Sequence, residues 1–436
     1  KIDFDDMLVL CYDLFRRRPD VLKLWQEKFR YILVDEFQDI NQVQYDVIRM
    51  LAAPEHNLFV VGDDDQSIYG FRGADVKLMF RFLKDYPGAE RMLLDRNYRS
   101  TANIVRHALQ VIENNEVRFE KQIRTQKPAG SALHIQETLD SEDESAYVVS
   151  EIRQRMEAGI PPEQIAVLFR VHTDARALAG QLVKHRIPFY MRESMPDLYQ
   201  HFIAKDIRAY LRLAGGGRDR ADLLQVMNRP VRYLSRASMS GSRIVPFEEL
   251  RKFYCDKDWM QDRIDQFEWD LKMMEKMAPY AAIQYIRKKV AYDDYLREYA
   301  DSKGQQPAEY FDVLAELEEA AKPFTAAEEW FAYMSEYTDA LAKQKQKAQD
   351  DRTGVRLMTM HASKGLEFDT VFIIQANEGR IPYKRAMKEH GVEEERRLFY
   401  VAMTRAKEVI KISYVTVKNG KDAQPSRFVE ELYPKL

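Results

Sequence analysis

The 436-residue sequence contains only two cysteines, Cys11 and Cys255, and their separation excludes a cysteine-held metal site. So few cysteines fit a reducing cytosol. Long hydrophobic runs are also lacking, since none approaches the ~20 residues that a membrane-spanning helix needs. No signal-peptide pattern opens the sequence. We therefore expect a cytoplasmic protein without membrane contact.

An excess of charge of one sign is absent too. The 67 lysines and arginines nearly balance the 70 acidic residues, which gives a net charge of −3. Because the chain has no global basic footprint, any contact with nucleic acid has to come from local clefts. The hydrophobic content of 45% is ordinary for a globular protein. The length predicts about three domains of roughly 150 residues each.

Strand-like and helical patterns alternate over much of the chain, which predicts βαβ units and a parallel sheet. The predicted strands lie at 31–34, 58–61, 91–94, 133–137, 165–169, 355–360, 371–375 and 409–415. The fold class is therefore α/β.

A glycine run, Gly215–Gly217, is the clearest linker in the chain. After it, strand-like runs vanish and helical periodicity takes over until about residue 351, which predicts an all-helical insertion. Two α/β domains, the second split by this insertion, are the simplest layout. The predicted segments are 1–94, 95–216, 217–351 and 352–436.

Two carboxylates, Asp35 and Glu36, follow the apolar run Tyr31–Val34, which we expect to be a strand buried on both faces. Open α/β sheets bind ligands at the carboxyl ends of their strands. Mg²⁺ prefers carboxylate and phosphate oxygens, and a second carboxylate there could orient or deprotonate an attacking water. An acidic loop without a catalytic role is the alternative, and these two residues taken alone favour it.

Two aromatic residues alternate with small and basic ones at Tyr69, Phe71 and Arg72. Aromatic rings beside a cation suit a path for single-stranded nucleic acid, because stacking contributes ~1–3 kcal/mol per base and tolerates any sequence. A packing role in the core is the alternative for both rings.

Five motifs occur in a fixed order along the chain. They are DEFQD at Asp35–Asp39, GDDDQSIYGFRGA at Gly62–Ala74, LDRNYRS at Leu94–Ser100, TMHASKGLEF at Thr359–Phe368 and EEERRLFYVAMTRAKE at Glu393–Glu408. In this order the sequence resembles the superfamily 1 DNA helicases of the UvrD/Rep/PcrA type, over nearly the whole chain apart from the helical insertion. The resemblance implies two RecA-like parallel-sheet P-loop NTPase domains, the first incomplete, with the helical insertion in the second.

The resemblance also implies a role for each matching residue. Asp35 would bind Mg²⁺, Glu36 would activate water, and Gln66 would sense the terminal phosphate. The remaining positions are implied to contact ATP or DNA: Tyr98 for adenine, Arg99 and Arg405 for the γ-phosphate, Glu367 for the ribose, Lys364 for phosphate, and Tyr69, Phe71, Arg72 and His361 for DNA.

By resemblance, the activity is that of an ATP-dependent DNA helicase and single-stranded DNA translocase of 3′ to 5′ polarity. Its cofactors are ATP and Mg²⁺, and its substrates are single strands and single–double strand junctions. Repair or replication proteins are candidate partners. Duplex binding by the insertion is in doubt, because VRYLSRAS at Val231–Ser238 stands where the family has a glycine-containing hairpin.

No G-x-x-x-x-G-K-[ST] phosphate loop (P-loop) occurs in the sequence. In the family this loop lies upstream of the segment that matches Phe4–Met7. We therefore expect the chain to be a fragment whose missing N-terminal segment supplies the loop, and expect no meaningful ATP hydrolysis by this chain alone. The alternative is a non-catalytic short paralogue that binds single-stranded nucleic acid or a partner protein. A helicase–nuclease is disfavoured, because no carboxylate cluster follows Pro425–Leu432.

Overall fold

The computed structural model describes residues 2–53, 55–191, 197–239, 243–304, 307–350, 353–384, 386–387, 391–418 and 420–433. The chain forms two compact units. The first unit combines residues 1–193 with residues 352–436, and the second unit comprises residues 194–351. Strands are confined to the first unit within the described residues.

The strands of the first unit are short except at its centre. In the described part of the chain they are β1 (Ile32–Val34), β2 (Leu58–Val60), β3 (Arg96–Asn97), β4 (Arg124–Thr125), β5 (His134–Thr138), β6 (Ile165–Phe169), β7 (Phe189–Met191), β8 (Val355–Thr359), β9 (Phe368–Ile373), β10 (Ala406–Val415), β11 (Val417–Lys418) and β12 (Lys421–Asp422).

The α-helices are distributed over both units. Those described are α1 (Phe4–Arg17), α2 (Pro19–Lys28), α3 (Gln42–Ala52), α4 (Lys77–Asp85), α5 (Ala102–Ile112), α6 (Ser141–Glu157), α7 (Arg176–Lys184), α8 (Phe202–Ala214), α9 (Arg220–Val226), α10 (Phe247–Phe253), α11 (Asp258–Met274), α12 (Pro279–Lys288), α13 (Tyr292–Lys303), α14 (Pro307–Ala321), α15 (Ala327–Asp350), α16 (Val392–Met403) and α17 (Arg427–Glu430). No helix among the residues described has both the length and the apolar character that crossing a membrane requires.

A sheet of six described strands, in the order β5-β10-β9-β6-β8-β7, forms the centre of the first unit. Every neighbouring pair is parallel. All five residues of β6 are buried, as expected for a central strand whose two faces are both covered. Ile104 of α5 and Phe399 of α16 pack in the same core cluster as Leu168 of β6. The predicted α/β class with a parallel sheet is confirmed.

Strands β1 and β2 pair in parallel and form a separate small sheet. Val34 and Val60 pack against the cluster around Tyr45 of α3. On the opposite face, Leu33 is 72% exposed and Phe59 is 49% exposed. The prediction that Tyr31–Val34 is buried on both faces is therefore wrong in this structure. Side chains alternate along a strand, and the surrounding helices α3 and α4 cover only one face of this pair.

The strand predicted at 91–94 is also wrong, because these residues have no regular structure. Met92 is 74% exposed and Leu94 is 84% exposed. The chain pairs slightly later, where β3 lies parallel to β4 and the Arg124 amide donates to the Asp95 carbonyl at 2.7 Å. An apolar run without a neighbouring strand does not gain the backbone hydrogen bonds that a sheet provides.

The second unit is helical and has a core of its own. Ile264, Phe267 and Met274, on one face of α11, are buried in this core, in agreement with the helical periodicity predicted for the insertion. Helix α8 belongs to the same cluster, although the predicted boundary at 216 assigns it to the preceding α/β segment. The reason is that α8 is buried on several sides, since Ile207, Tyr210 and most of its other apolar residues are covered.

Candidate nucleotide and nucleic-acid site

The loops that follow β1 and β2 lie side by side because Gln38 joins them. Gln38 is 1% exposed, its Oε1 accepts from the Asp63 amide at 3.0 Å, and its Nε2 donates to Glu36 Oε2 at 2.5 Å. Gly62 permits this approach, since a Cβ at residue 62 would lie 2.6 Å from Gln38 Oε1. The two strand ends therefore form one polar surface, as expected for neighbouring parallel strands.

The carboxylates of Asp35 and Glu36 both lie at this surface and are exposed. Asp35 Oδ1 accepts from the Glu36 amide at 2.8 Å, and within the described residues Asp35 forms no ion pair. Glu36 has a φ of 50°, a left-handed conformation that is uncommon for a residue with a side chain. Asp35 thus keeps carboxylate oxygens available for a hard cation.

Lys364 connects the loop after β8 to this surface. Its ammonium group donates to the Asp39 carboxylate and to the Gln66 carbonyl at 2.9 Å, and it lies 3.7 Å from Glu36 Oε2. Burial raises the pKa of the Asp39 carboxyl, although the neighbouring ammonium acts in the opposite direction. Asp39 is a site residue that was not predicted, and the only signal for it in the sequence was its position as the third acid of DEFQD.

The aromatic residues predicted to contact DNA lie together. The ring centroids of Tyr69 and Phe71 are 5.9 Å apart, and the Arg72 guanidinium lies 5.3 Å and 5.4 Å from them. His361 meets the Phe71 ring edge-to-face at 5.5 Å. Phe71 is 52% exposed, so it is available for stacking, whereas Tyr69 is half-buried.

His361 is largely enclosed by protein, and this burial favours the neutral form of its imidazole. Burial lowers the pKa of the His361 imidazole to about 3, and the charges of Arg170 and Arg72 act in the same direction. The imidazole is therefore neutral at physiological pH, so it offers a hydrogen-bonding and packing surface but no positive charge.

Gly70 lies between the two aromatic residues, and the close approach of Glu394 of α16 leaves no room for a side chain there. The Gly70 amide donates to Glu394 Oε1 at 3.0 Å. A Cβ at residue 70 would overlap the Glu394 carboxylate. Glu394 is thus a further residue of the site that the sequence analysis does not identify. It ties the aromatic loop to the helix that precedes Arg405.

A cavity of about 580 Å³ opens beside Tyr98, which is 73% exposed. Glu367 accepts from Arg99 Nε and from Lys407 Nζ, both at 2.8 Å. These two cations lower the pKa of the Glu367 carboxyl to about 2. The remaining lining residues are Asn97 and Lys127. Lys407 and Lys127 were not predicted, although Lys407 lies two residues after Arg405 in a matching motif.

Arg405 is 2% exposed and is held by oxygen acceptors that carry no full charge. Its Nε donates to the Val401 carbonyl at 3.0 Å, its Nη1 to the Leu366 carbonyl at 3.2 Å, and its Nη2 to Thr404 Oγ1 at 3.1 Å. No carboxylate pairs with this guanidinium among the residues described. A buried cation without an anionic partner is costly, which makes it a candidate site for a bound anion.

The electrostatic surroundings of Arg405 connect it to the strand-end surface. Burial lowers the pKa of its guanidinium to about 10, and the positive charge of Arg99 adds to this effect. The carboxylates of Asp63 and Glu36 are close enough to oppose it. Arg99 itself donates from Nη1 to the Thr404 carbonyl at 3.2 Å. The predicted acids, glutamine and arginines thus lie in one region of the first unit.

Parallel strands with acidic loops at their carboxyl ends, opposed by the half-buried Arg99 and the buried Arg405, define an α/β protein with a polar site at its strand ends. Two family models cover almost the entire chain: the UvrD/REP helicase N-terminal domain matches residues 1–87, and the UvrD-like helicase C-terminal domain matches residues 92–417. The chain belongs to the UvrD-like helicase family.

Similar proteins occur in several bacteria. YjcD of Bacillus subtilis is 36% identical over 449 residues, which cover 100% of this chain and 58% of that protein. The ATP-dependent DNA helicase PcrA of Staphylococcus epidermidis is 34% identical over 451 residues, 99% of this chain and 62% of that protein. PcrA of Staphylococcus aureus is 33% identical over 455 residues, with coverages of 100% and 62%. The chain therefore spans about three fifths of the length of these relatives.

Proposed function

We propose that this chain forms most of the motor of an ATP-dependent DNA helicase that also translocates along single strands. The observation that carries the proposal is Arg405, a buried guanidinium without a carboxylate partner in the described residues, within electrostatic reach of Glu36 and Asp63. Such a group binds the terminal phosphates of a nucleotide and stabilises the charge that develops during phosphoryl transfer. The family membership and the PcrA relatives support the same reaction.

The cavity beside Tyr98 fits the nucleoside part of ATP. The exposed Tyr98 ring offers a face for the base, and the Glu367 carboxylate can accept from ribose hydroxyls. Arg99, Lys127 and Lys407 supply positive charge for the phosphates. The residues that line the cavity therefore offer a ring for the base, a carboxylate for the ribose hydroxyls and cations for the phosphates of a nucleotide.

Asp35 is the proposed ligand of Mg²⁺, because its carboxylate is exposed and makes no ion pair in the described part of the chain. When bound, the metal neutralises phosphate charge and orients the terminal phosphate. Glu36 is the proposed general base for the attacking water. Its side chain lies beside Asp35 and is oriented by Gln38.

Single-stranded DNA is the proposed substrate of the Tyr69–Arg72 loop. This loop is joined to α16 by Glu394 and approached by Lys364, whose ammonium lies 5.1 Å from the Tyr69 ring. Nucleotide binding can therefore be transmitted to the aromatic residues through contacts that already exist. On the basis of the family relationship, we propose 3′ to 5′ movement along the strand and action at single–double strand junctions. On the same basis we propose a cytoplasmic location and partners among repair or replication proteins.

The phosphate loop is the part of the site that this chain lacks. We propose that its lysine and hydroxyl come from sequence outside these 436 residues, in the same gene product. The chain alone is then expected to bind nucleotide weakly and to hydrolyse it at no meaningful rate.

The test uses the full gene product, with the 436-residue chain assayed in parallel. ATP hydrolysis stimulated by single-stranded DNA is expected, together with separation of a duplex that carries a 3′ tail. A duplex with only a 5′ tail should remain intact. A gene product that hydrolyses no ATP with single-stranded DNA present would defeat the proposed function, and unwinding from 5′ tails alone would reverse the polarity.

Replacing Phe71 with alanine is expected to weaken binding of single-stranded DNA by about 5-fold to 150-fold, the equivalent of ~1–3 kcal/mol of stacking. The measurement is the Kd of a fluorescent oligonucleotide at fixed salt, since salt changes the electrostatic part of binding. Phe71→Trp should restore affinity. Phe253→Ala, which removes a ring of similar exposure from the helical unit, serves as the control. Equal Kd values for the Phe71→Ala variant and the parent would remove Phe71 from the DNA path.

A further inference from the structure

Three consecutive acids after β2, Asp63, Asp64 and Asp65, surround a single ammonium group. Lys121 Nζ lies 2.5, 2.6 and 2.9 Å from their respective carboxylate oxygens. The acids are close enough together to hold a metal ion, but the ammonium already lies among their carboxylate oxygens. The Lys121 side chain is 8% exposed, so this contact is shielded from solvent. The acids therefore form a receptor for the docking segment, residues 118–121.

Other contacts hold the docking segment in the same place. Arg118 binds Asp65 through two hydrogen bonds of 3.2 Å and 3.0 Å. The Phe119 amide donates to Asp64 Oδ2 at 2.8 Å. The Phe119 ring stacks on Phe80 of α4 with centroids 4.2 Å apart. An ion pair, a backbone hydrogen bond and a ring contact thus all join the docking segment to the part of the chain that carries β1 and β2.

On its other side, the docking segment is continuous with residues fixed to α16. The Glu116 amide donates to Glu393 Oε1 at 2.7 Å, and Arg397 Nη2 donates to the Val117 carbonyl at 2.8 Å. Since α16 leads directly into Arg405, the docking segment links the acids after β2 to the helix that positions this arginine.

Gln66 is part of the same network. Its Nε2 donates to Asp63 Oδ2 at 2.7 Å, while the other oxygen of Asp63 accepts from Lys121. The orientation of the Gln66 amide therefore depends on a carboxylate that Lys121 fixes. Burial opposes the charge of the Lys121 ammonium, but the three carboxylates outweigh this and raise its pKa, so the ammonium stays charged at physiological pH.

We propose that Lys121 is a positioning residue that acts through Asp63 on Gln66, so that docking of residues 118–121 sets the rate of DNA-stimulated ATP hydrolysis. This inference rests on the proposed function. Lys121 does not face the nucleotide cavity, so its loss should change kcat for ATP hydrolysis and leave KM nearly unchanged.

The test compares Lys121→Met with the parent in the full gene product. We expect a loss in kcat of about 10-fold or more, since small misplacements of catalytic groups have effects of this order. KM for ATP and Kd for single-stranded DNA should stay within about 2-fold, well below that change. Lys121→Arg should recover most of the kcat. Lys411→Met removes the lysine that pairs with Glu151 beyond the site, and controls for the loss of a partly buried ion pair.

A double-variant cycle separates positioning from stability. If Lys121 acts through Gln66, Lys121→Met should add no further loss of kcat to a Gln66→Ala protein. Unchanged kcat in folded Lys121→Met, or an equal loss in the Gln66→Ala background, would overturn the inference. If Lys121→Met does not fold, Asp63→Asn, which retains the shape of the side chain, decides the same question. Absence of DNA-stimulated hydrolysis in the parent would instead count against the proposed function.

Discussion

Replacing Glu36 with glutamine in the full gene product is expected to lower kcat for ATP hydrolysis by about 10²-fold to 10⁴-fold, the range over which a general base contributes. The substitution preserves the shape of the side chain. The glutamine Oε1 can still accept from Gln38, as Glu36 Oε2 does at 2.5 Å, so the loop should keep its geometry. The substitution removes the ability to take a proton from water, together with the charge that faces Lys364 at 3.7 Å. Binding of ATP and of single-stranded DNA should therefore persist.

The measurement combines steady-state ATP hydrolysis with equilibrium binding of a fluorescent nucleotide. Glu27→Gln is a matched control, because Glu27 is an exposed acid of the same unit that pairs with Lys23 on α2. It should retain parental kcat. Asp35→Asn should differ from Glu36→Gln in its response to metal, with activity partly recovered at high Mg²⁺. A Glu36→Gln protein with kcat within about 3-fold of the parent would assign the base to another residue.

Five of the six described strands of the central sheet could be predicted, because each overlaps a strand-like run of the sequence, whereas β7 was not predicted. The run 165–169 forms β6 with the predicted bounds. The 91–94 run was also predicted to be a strand but remains irregular, because whether a run becomes a strand depends on a neighbouring strand, and neighbours are set by the tertiary fold. The exposure of Leu33 has a similar origin, since an apolar run does not reveal which of its faces will be covered.

The residues of the candidate site that lie in recognisable motifs could be predicted from the sequence, but the contacts between them could not. Asp35, Glu36, Gln66 and Arg405 are expected from the resemblance, and the structure places them in one region of the first unit. The contacts that hold them were not predictable. Asp39–Lys364 joins positions 325 residues apart. Pairings of this kind follow from three-dimensional proximity, which one sequence without relatives does not contain.

Lys121 is the clearest example of this limit. In the sequence it is an unremarkable lysine in a polar stretch after α5. The three acids at 63–65 look like a metal-binding cluster when the lysine is ignored. Only the fold shows that an ammonium group lies among these acids and offsets part of their charge, because Lys121 is separated from them by more than fifty residues of chain. Charge clusters in a sequence therefore need their partners located before a ligand is assigned to them.

Of the two predicted phosphate arginines, Arg99 and Arg405, we expect Arg405 to have the larger effect on kcat for ATP hydrolysis. Arg405→Lys in the full gene product should lower kcat for ATP hydrolysis by about 10³-fold, within the range for an arginine that stabilises the transferred phosphoryl group. Lysine keeps the charge but loses the planar fork that donates to Val401, Leu366 and Thr404. The ammonium would then be free to turn away from the phosphate. Kd for ATP should rise much less than kcat falls, because the interaction strengthens in the transition state.

The control must separate lost catalysis from lost folding, since Arg405 is buried. Arg396 of the same helix offers the comparison. It is 7% exposed, but it is paired with Glu431 at 2.8 Å and with Asn115, away from the strand-end acids. Both variants should lower the Tm, because each loses hydrogen bonds of a buried guanidinium. Arg396→Lys should preserve most of the kcat, whereas Arg405→Lys should nearly abolish turnover. Similar kcat values in the two variants would show that Arg405 contributes packing alone, and the phosphate would have to be bound by other cations of the cavity.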